Sequence, residues 1–528
     1  MREATAVQAS ALEGATASVS GTSAAARLIR AHLHALGAEV HDDGSTHNAA
    51  EAVVTLHNGD RHEVVVDWAG PVTVPGLHDE ATVQAACGVM HVHGRRSGSP
   101  RGIGVDYCGT AAGVLAMTGL LAAILRGEPR VRTSVAEAAL LTISQYLAAA
   151  GADEAEAVDL RPGGPPFVSA DGVRFEVEAL VPEVWAAFWT GLGTDGAAIR
   201  GGWKPYQFRY ATATAPIPEA LHAATRAATF AQITEAAAES GASVCTLHSP
   251  IEPITSPWRI RPTDGPATRA NGTDLVVFEA GRRIQAPMAA HLLGLLGATV
   301  IRVEPPGGDP LRGMPPMCQD TSARWLALNR GKDAVEIDLK DPADRQRLRD
   351  RLVDADVFLH NWAPGNAEKW QLAAPDLPDG IVYAYTSGWG GAELPDVPLG
   401  TDFMVQARTG LAKLVRPSDE DPAPSLMTLV DVLGGLVGAE AVLAGVLTRR
   451  LTGRGVAVES SLLGAASALL AGTTGRPAPG FRVPVDGRVD GVDVVTDLAA
   501  LPGDPRFAAV LGRDDRGCPA LGSPWRFQ

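Results

Sequence analysis

Apolar positions along the chain recur in two rhythms, and the second half shows both most clearly. "DLVVFEA" (274–280) is a short continuous apolar run of the kind expected for a strand covered on both faces. "APMAAHLLGLLGA" (286–298) then spaces its apolar residues as a helix does, and "TVIRVEPP" (299–306) reads as the next strand. The alternation continues through "AVEIDLKD" (334–341), a helix over "PADRQRLRDRLVDA" (342–355), "DVFLHNW" (356–362) and "GIVYAYTSGWG" (380–390). Strands alternating with helices predict an α/β fold with an open, mostly parallel, Rossmann-like sheet, and ligands of such sheets sit at the carboxyl ends of the strands. Two greasier runs, near 109–125 and 429–448, approach membrane-span length. The second carries Asp431 and Glu440, and glycines recur through both, so buried core helices are expected and no membrane association.

The two greasy runs are copies of each other. "VDYCGTAAGVLAMTGLLAAILRG" (105–127) superimposes on the segment from Val430 at an offset of 325, pairing Val105 with Val430, Asp106 with Asp431, Gly109 with Gly434 and Gly113 with Gly438. Flanking segments repeat in the same order. "HALGAEV" (34–40) matches "GLLGATV" (294–300), and "TVQAACG" (82–88) matches "MVQARTG" (404–410). "VAEAALL" (135–141) matches "AVESSLL" (457–463), and "SPWRI" (256–260) matches "SPWRF" (523–527). Two fused copies of one unit are therefore expected, with the first shortened. That first copy lacks the span holding "LNRGKDAVEIDLKD" and "HNWAPGN", so a site built from those loops exists once. Residues 165–250 have no counterpart and read as a smaller α/β domain. The resulting layout is a degenerate large domain (1–160), a small domain (161–255), a linker (256–273), a full large domain (274–475) and a C-terminal return segment (476–528).

Composition narrows the chemistry. A chain of 528 residues exceeds the ~250–300 residues that one core sustains. A net charge of −15 argues against a nucleic-acid surface while leaving room for a local basic pocket for a small anion. The five cysteines show no CxxC spacing and there is no HExxH, which speaks against structural zinc and disulfides and favours a reducing cytoplasm. The N-terminus carries no basic region followed by an apolar one, as a secretory signal would. Without GxGxxG after the first strand or GxxxxGK[ST], a nicotinamide or ATP site is disfavoured.

The ordered string "VIRVEPPGGDPLR", "LALNRGKDAVEIDLKDP", "ADVFLHNWAPGNAEKWQL", "YTSGWG", "VDVLGG" and "TGRG" resembles the class III CoA-transferases, a family that also includes formyl-CoA transferase and α-methylacyl-CoA racemases. The resemblance is strong over about 274–475 and weak over about 20–260. It implies an interlocked dimer of large and small domains, here folded from one chain as an internal pseudo-dimer that is a monomer or a further homodimer. It also implies that Asp431 is the nucleophile. The residue-level alternative is a helix N-cap, worth ~0.5–2 kcal/mol. At a helix N-terminus the dipole and free amides would hold Asp431 ionised, as attack on a thioester requires, and the adjacent glycines would admit a bulky acyl-CoA. The substrates implied are an acyl-CoA and a small carboxylic acid, with no tightly bound cofactor and no metal.

The resemblance further places Ile284 and Gln285 beside the thioester end of CoA, and Ile337, Lys340, Asn361 and Trp362 around its nucleotide. Lys369 falls at a phosphate-ligand position, and Arg302, Arg330 and Lys332 are expected to add positive charge near the diphosphate. Ala363 stands where the family often has arginine, and the glycine-run loop of formyl-CoA transferase is absent. Asp106, the counterpart of Asp431, is expected to act mainly as a structural cap, with a second catalytic aspartate as the alternative. Racemases of the family pair the aspartate with a histidine in a G-H-D motif, where this chain has Thr401 in "GTD". His78 in "LHDE" is one position out of register, so racemase, isomerase or dehydratase chemistry ranks second and a non-catalytic acyl-CoA-binding protein third.

Overall fold

The computed structural model describes residues 10–156, 158–254, 256–267, 274–391, 397–472 and 482–528. Its second large sheet follows the apolar runs closely. In order across the sheet it contains Asp333–Glu336, Thr299–Glu304, Val276–Glu279, Val357–His360, Val382–Ser387, Arg454–Ser461 and Trp258–Pro266. The first six are mutually parallel and the last is antiparallel to its neighbour. Helix Gln285–Leu295 makes the first crossover, and Val277, Phe278 and Leu359 are buried within the sheet.

The first large sheet has the order Glu39–Asp42, Thr16–Ser20, Ala50–Thr55, Arg61–Asp67, Arg130–Ser134, Arg526–Phe527. It is mixed rather than mostly parallel. Thr16–Ser20 runs parallel to Glu39–Asp42, and Arg61–Asp67 runs parallel to Arg130–Ser134, while the hairpin Ala50–Thr55/Arg61–Asp67 introduces antiparallel pairs. That hairpin stands where the second half has its longer loop-bearing span.

The stretch 256–273, expected as a linker, is corrected by the structure: it contains the strand Trp258–Pro266, which closes the edge of the second sheet. The C-terminal strand Arg526–Phe527 does the same for the first sheet. The two "SPWR" segments thus perform one task in opposite halves. Trp525 Nε1 donates to the carbonyl of Leu115 at 2.7 Å, and a Cβ at Gly119 would lie 2.6 Å from the Trp525 ring, so this glycine makes room for the indole.

Helices Tyr107–Arg126 and Leu429–Thr452 pack against each other, and a single apolar core runs through both halves. Each is long and apolar enough to cross a membrane, but 94% of each apolar window is buried inside the protein. The halves also share a buried polar contact, with His32 Nδ1 3.0 Å from both carboxylate oxygens of Glu440 and the His32 ring edge-on to Trp258. The small domain is a three-stranded antiparallel sheet (Phe167–Val168, Arg174–Glu178, Ser243–Thr246) covered by helices and built around Trp185, Phe188, Trp189 and Tyr206.

Candidate active site

A cavity of ≈620 Å³ opens at the carboxyl ends of the second sheet's parallel strands. One wall consists of the loops that follow those strands, including Arg282, Arg283 and Ile284, then Ile337 and Lys340, then Trp362. The facing wall comes from the small domain through Glu178, Trp203 and Tyr210. Thr401, Asp402, Thr428 and Asp431 line it as well.

Asp431 is not the N-cap. Helix Leu429–Thr452 starts two residues earlier, behind Thr428 in the left-handed region (φ 53°). The amides at this helix end are taken by another acid. Asp402 Oδ2 accepts the N–H groups of Val430 and Asp431 at 2.7 Å each, and Gln406 Nε2 donates to Asp402 Oδ1 at 2.5 Å. Gln406 is itself anchored on both backbone groups of Ser425. The first half repeats this device: Glu80 accepts from the amides of Cys108 and Gly109 at 2.8 and 2.9 Å, and Gln84 donates to it at 2.9 Å. These capping acids were missed in the sequence although a signal was present. The matched "VQ" pairs have an acid four residues before each glutamine, one helical turn away.

Because Asp402 holds the amides, Asp431 is left half-buried without them. Burial raises its carboxyl well above the ordinary aspartate range, the charge of Asp402 adds to this, and Arg283 opposes it. Asp402 is pushed up to about 6 by burial, against the pull of its amide donors. The expectation of an Asp431 kept ionised by the helix end is therefore corrected: the pair retains protons that an exposed pair would release. Glu178 completes the acidic group, bonded to Arg209 at 3.1 Å and accepting from the Thr401 hydroxyl at 2.8 Å. Among the described residues, no histidine lines the cavity.

The expected CoA residues divide. Ile284, Ile337, Lys340 and Trp362 line the cavity. Asn361 does not, but its amide side chain exchanges hydrogen bonds with the backbone of Arg282 at 2.8 and 2.9 Å and so fixes the loop. Gln285 is turned into the interface with helix Leu429–Thr452, its Nε2 bonded to the Ser387 carbonyl at 3.3 Å. Lys369 is exposed outside the cavity.

Three expected phosphate cations are held in ion pairs, Arg302 at the cavity wall and Lys332 and Arg330 outside it. Arg302 is 3% exposed and held by Glu279, Glu304 and Asp309. Lys332 is held by Glu279 and two further oxygens, and burial lowers its ammonium to about 8. Arg330 is bound to Asp514 and the Pro519 carbonyl, away from the cavity. The exposed cations that do line it are Arg282, Arg283 and Lys340, and the two arginines adjoining Ile284 were overlooked in the sequence.

The glycines near Asp431 serve packing rather than ligand access, since a Cβ on Gly435 would lie 2.6 Å from Met288 Cβ. Asp106 occupies the N-cap position of Tyr107–Arg126 without making a side-chain cap bond, which corrects its expected role. Its carboxylate pairs instead with Arg27 at 3.0 Å.

The family model CoA-transferase family III matches residues 70–261 and 273–496. The mouse succinyl-CoA:glutarate CoA-transferase is 32% identical over 199 residues, covering 37% of this chain and 46% of that protein. The succinyl-CoA–L-malate CoA-transferase beta subunit of Chloroflexus aurantiacus is 33% identical over 207 residues, 38% of this chain and 51% of that one. Among solved structures, Rv3272 of M. tuberculosis is similar at 30% identity with a TM-score of 0.35, over 39% of this chain and 58% of that one. The chain thus spans about half the length of the curated relatives it matches. With the family model matching most of its length, the chain belongs to CoA-transferase family III.

Proposed function

We propose that this protein transfers coenzyme A from an acyl-CoA donor to a carboxylic acid acceptor, with Asp431 as the nucleophile. The observation that carries this reading is the carboxylate of Asp431, which lines the cavity while the neighbouring Asp402 takes over the capping of its helix. An Asp431 oxygen attacks the thioester carbonyl, the C–S bond breaks, and an aspartyl anhydride and CoA thiolate result. Thiolate attack on the Asp431 carbonyl carbon releases the donor acid and leaves an aspartyl-CoA thioester. The acceptor carboxylate then attacks that carbonyl, expelling thiolate. Return of the thiolate to the acceptor carbonyl yields the new acyl-CoA and frees Asp431.

Arg282 and Lys340, exposed at the strand ends, are suited to CoA phosphates, and Ile337 and Trp362 supply an apolar surface. Proton transfer at the acyl α-carbon has less support, because Thr401 stands at the histidine position and its hydroxyl is engaged by Glu178. The Arg27–Asp106 pair supports a single active site in a chain that folds as an internal pseudo-dimer. Five free, buried cysteines fit a reducing cytoplasm, the compartment we propose.

Mass spectrometry of wild type and Asp431→Ala after incubation with a panel of acyl-CoAs and hydroxylamine trapping tests the proposal. A modification on the Asp431 peptide of the wild type alone is expected. Turnover by the alanine variant at the wild-type rate would overturn it.

A further inference from the structure

We infer that Arg283 binds the carboxylate of the free acid acceptor beside Asp431; the inference rests on the CoA-transfer reading above and names the residue that selects an acid as the second substrate. The electrostatic problem is plain from the site. An incoming carboxylate must approach Asp431 within a group that already contains Asp402 and Glu178. In a partly desolvated cavity like charges repel strongly unless a cation intervenes.

Five cations line the cavity; two are held by buried partners and a third lies at its edge. Arg302 is saturated by Glu279, Glu304 and Asp309. Arg209 is 3% exposed and spent on Glu178 and the Tyr206 carbonyl. Lys340 follows the Asp333–Glu336 strand, at the outer edge of the sheet. Arg282 and Arg283 remain on one loop, and the backbone of Arg282 is clamped by Asn361.

Arg283 differs from Arg282 in three ways. Its guanidinium lies 6.0 Å from the ring centroid of Tyr210, a small-domain residue, so it spans the cavity from one wall to the other. It is the cation whose charge acts on Asp431. Its backbone has φ 62°, the left-handed region that a residue with a side chain seldom adopts. No hydrogen bond or ion pair engages its side chain among the described residues. A planar guanidinium resting by an aromatic face with free donors matches the two oxygens of a carboxylate.

The test uses the full chain as wild type, Arg283→Gln, Arg283→Lys and Arg282→Gln. Succinate and butyrate are titrated calorimetrically into CoA-saturated protein, and CoA affinity is measured separately. Arg283→Gln is expected to weaken binding of both acids by about tenfold or more, equivalent to ~1.4 kcal/mol, while CoA affinity changes less than about threefold. Arg283→Lys should recover part of the loss, and Arg282→Gln should show the reverse preference, weakening CoA.

Equal weakening of CoA and acid by Arg283→Gln would make Arg283 a phosphate ligand and overturn the inference. So would unchanged acid binding in that variant, or no acid binding by the wild type. Because binding is read without turnover, acid binding that depends on Arg283 in a protein that forms no Asp431 adduct would separate failure of the transfer reading from failure of this one.

Discussion

Asp431 and Asp402 divide two tasks that a single aspartate would perform badly. A carboxylate that caps a helix is stabilised by its amide donors and is a weak nucleophile for the same reason. Here Asp402 accepts the amides and Asp431 keeps its oxygens. Asp431→Asn is expected to lower transfer by about three orders of magnitude or more, since the covalent route is lost, with little change in CoA binding; steady-state kinetics against equilibrium binding checks this. The raised carboxyls also set the pH response. In the proposed route Asp431 must ionise to attack, so kcat/KM should rise with pH along a limb displaced above the ordinary aspartate range. Asp402→Asn, which removes the neighbouring negative charge, should move that limb to lower pH.

Stability should run the other way. A carboxyl raised to about 6 from 3.8 keeps its proton in the folded state after the unfolded chain has released it. This contribution therefore destabilises the wild type as pH rises from near 4 through 6. Relative to wild type, Asp402→Asn should gain up to about 3 kcal/mol between pH 4 and 7, read by denaturant unfolding at both pH values.

The elements carrying these residues were legible to different degrees. "DLVVFEA" and "TVIRVEPP" declare themselves because a strand covered on both faces must be apolar throughout, and their strands lie where those runs fall. "WRIRPTDGP" concealed a strand because it closes a sheet edge: Trp258 and Ile260 face inward, Arg259 and Arg261 do not, and its proline and glycine resemble a connection. Of the residues expected around CoA, Ile337 and Trp362 line the cavity, as apolar side chains beside strand ends can be expected to do. The ion pairs of Arg302 and Lys332 were hidden because a positive charge in sequence does not reveal which carboxylates fold back onto it.

Close helix packing was also hidden, since glycines appear as freedom rather than as contact. Gly435→Ala places a methyl 2.6 Å from Met288 Cβ and 2.8 Å from the Gln285 carbonyl, a rigid backbone neighbour. It should cost about 1–3 kcal/mol in thermal or chemical unfolding and reduce activity by shifting the Asp431 turn. Glu80→Ala, which strips the equivalent cap from the first half, should cost about 1–3 kcal/mol without shifting the pH–rate limb, because its helix begins with Asp106 rather than Asp431.

For the whole molecule, the relation between the halves decides how it responds to stress. One apolar core, the His32–Glu440 contact and two exchanged edge strands join them. Calorimetry should therefore show both large sheets melting in one transition rather than as two separate domains. Trp525→Ala, made near the C-terminus but buried against Gly119 of the first half, should destabilise that shared transition by about 3–5 kcal/mol.

The exchanged strands also bear on how the protein is made. A chain leaving the ribosome has built every strand of the first sheet but one by Ser134, and the missing strand, Arg526–Phe527, follows only after the whole second sheet has been made. The second half needs no such wait, because Trp258–Pro266 precedes all of its partners. The half translated first is thus the half completed last. Its open edge along Arg130–Ser134 stays unpaired until that strand arrives, an interval in which a nascent chain is exposed to capture by a chaperone or by a neighbouring copy.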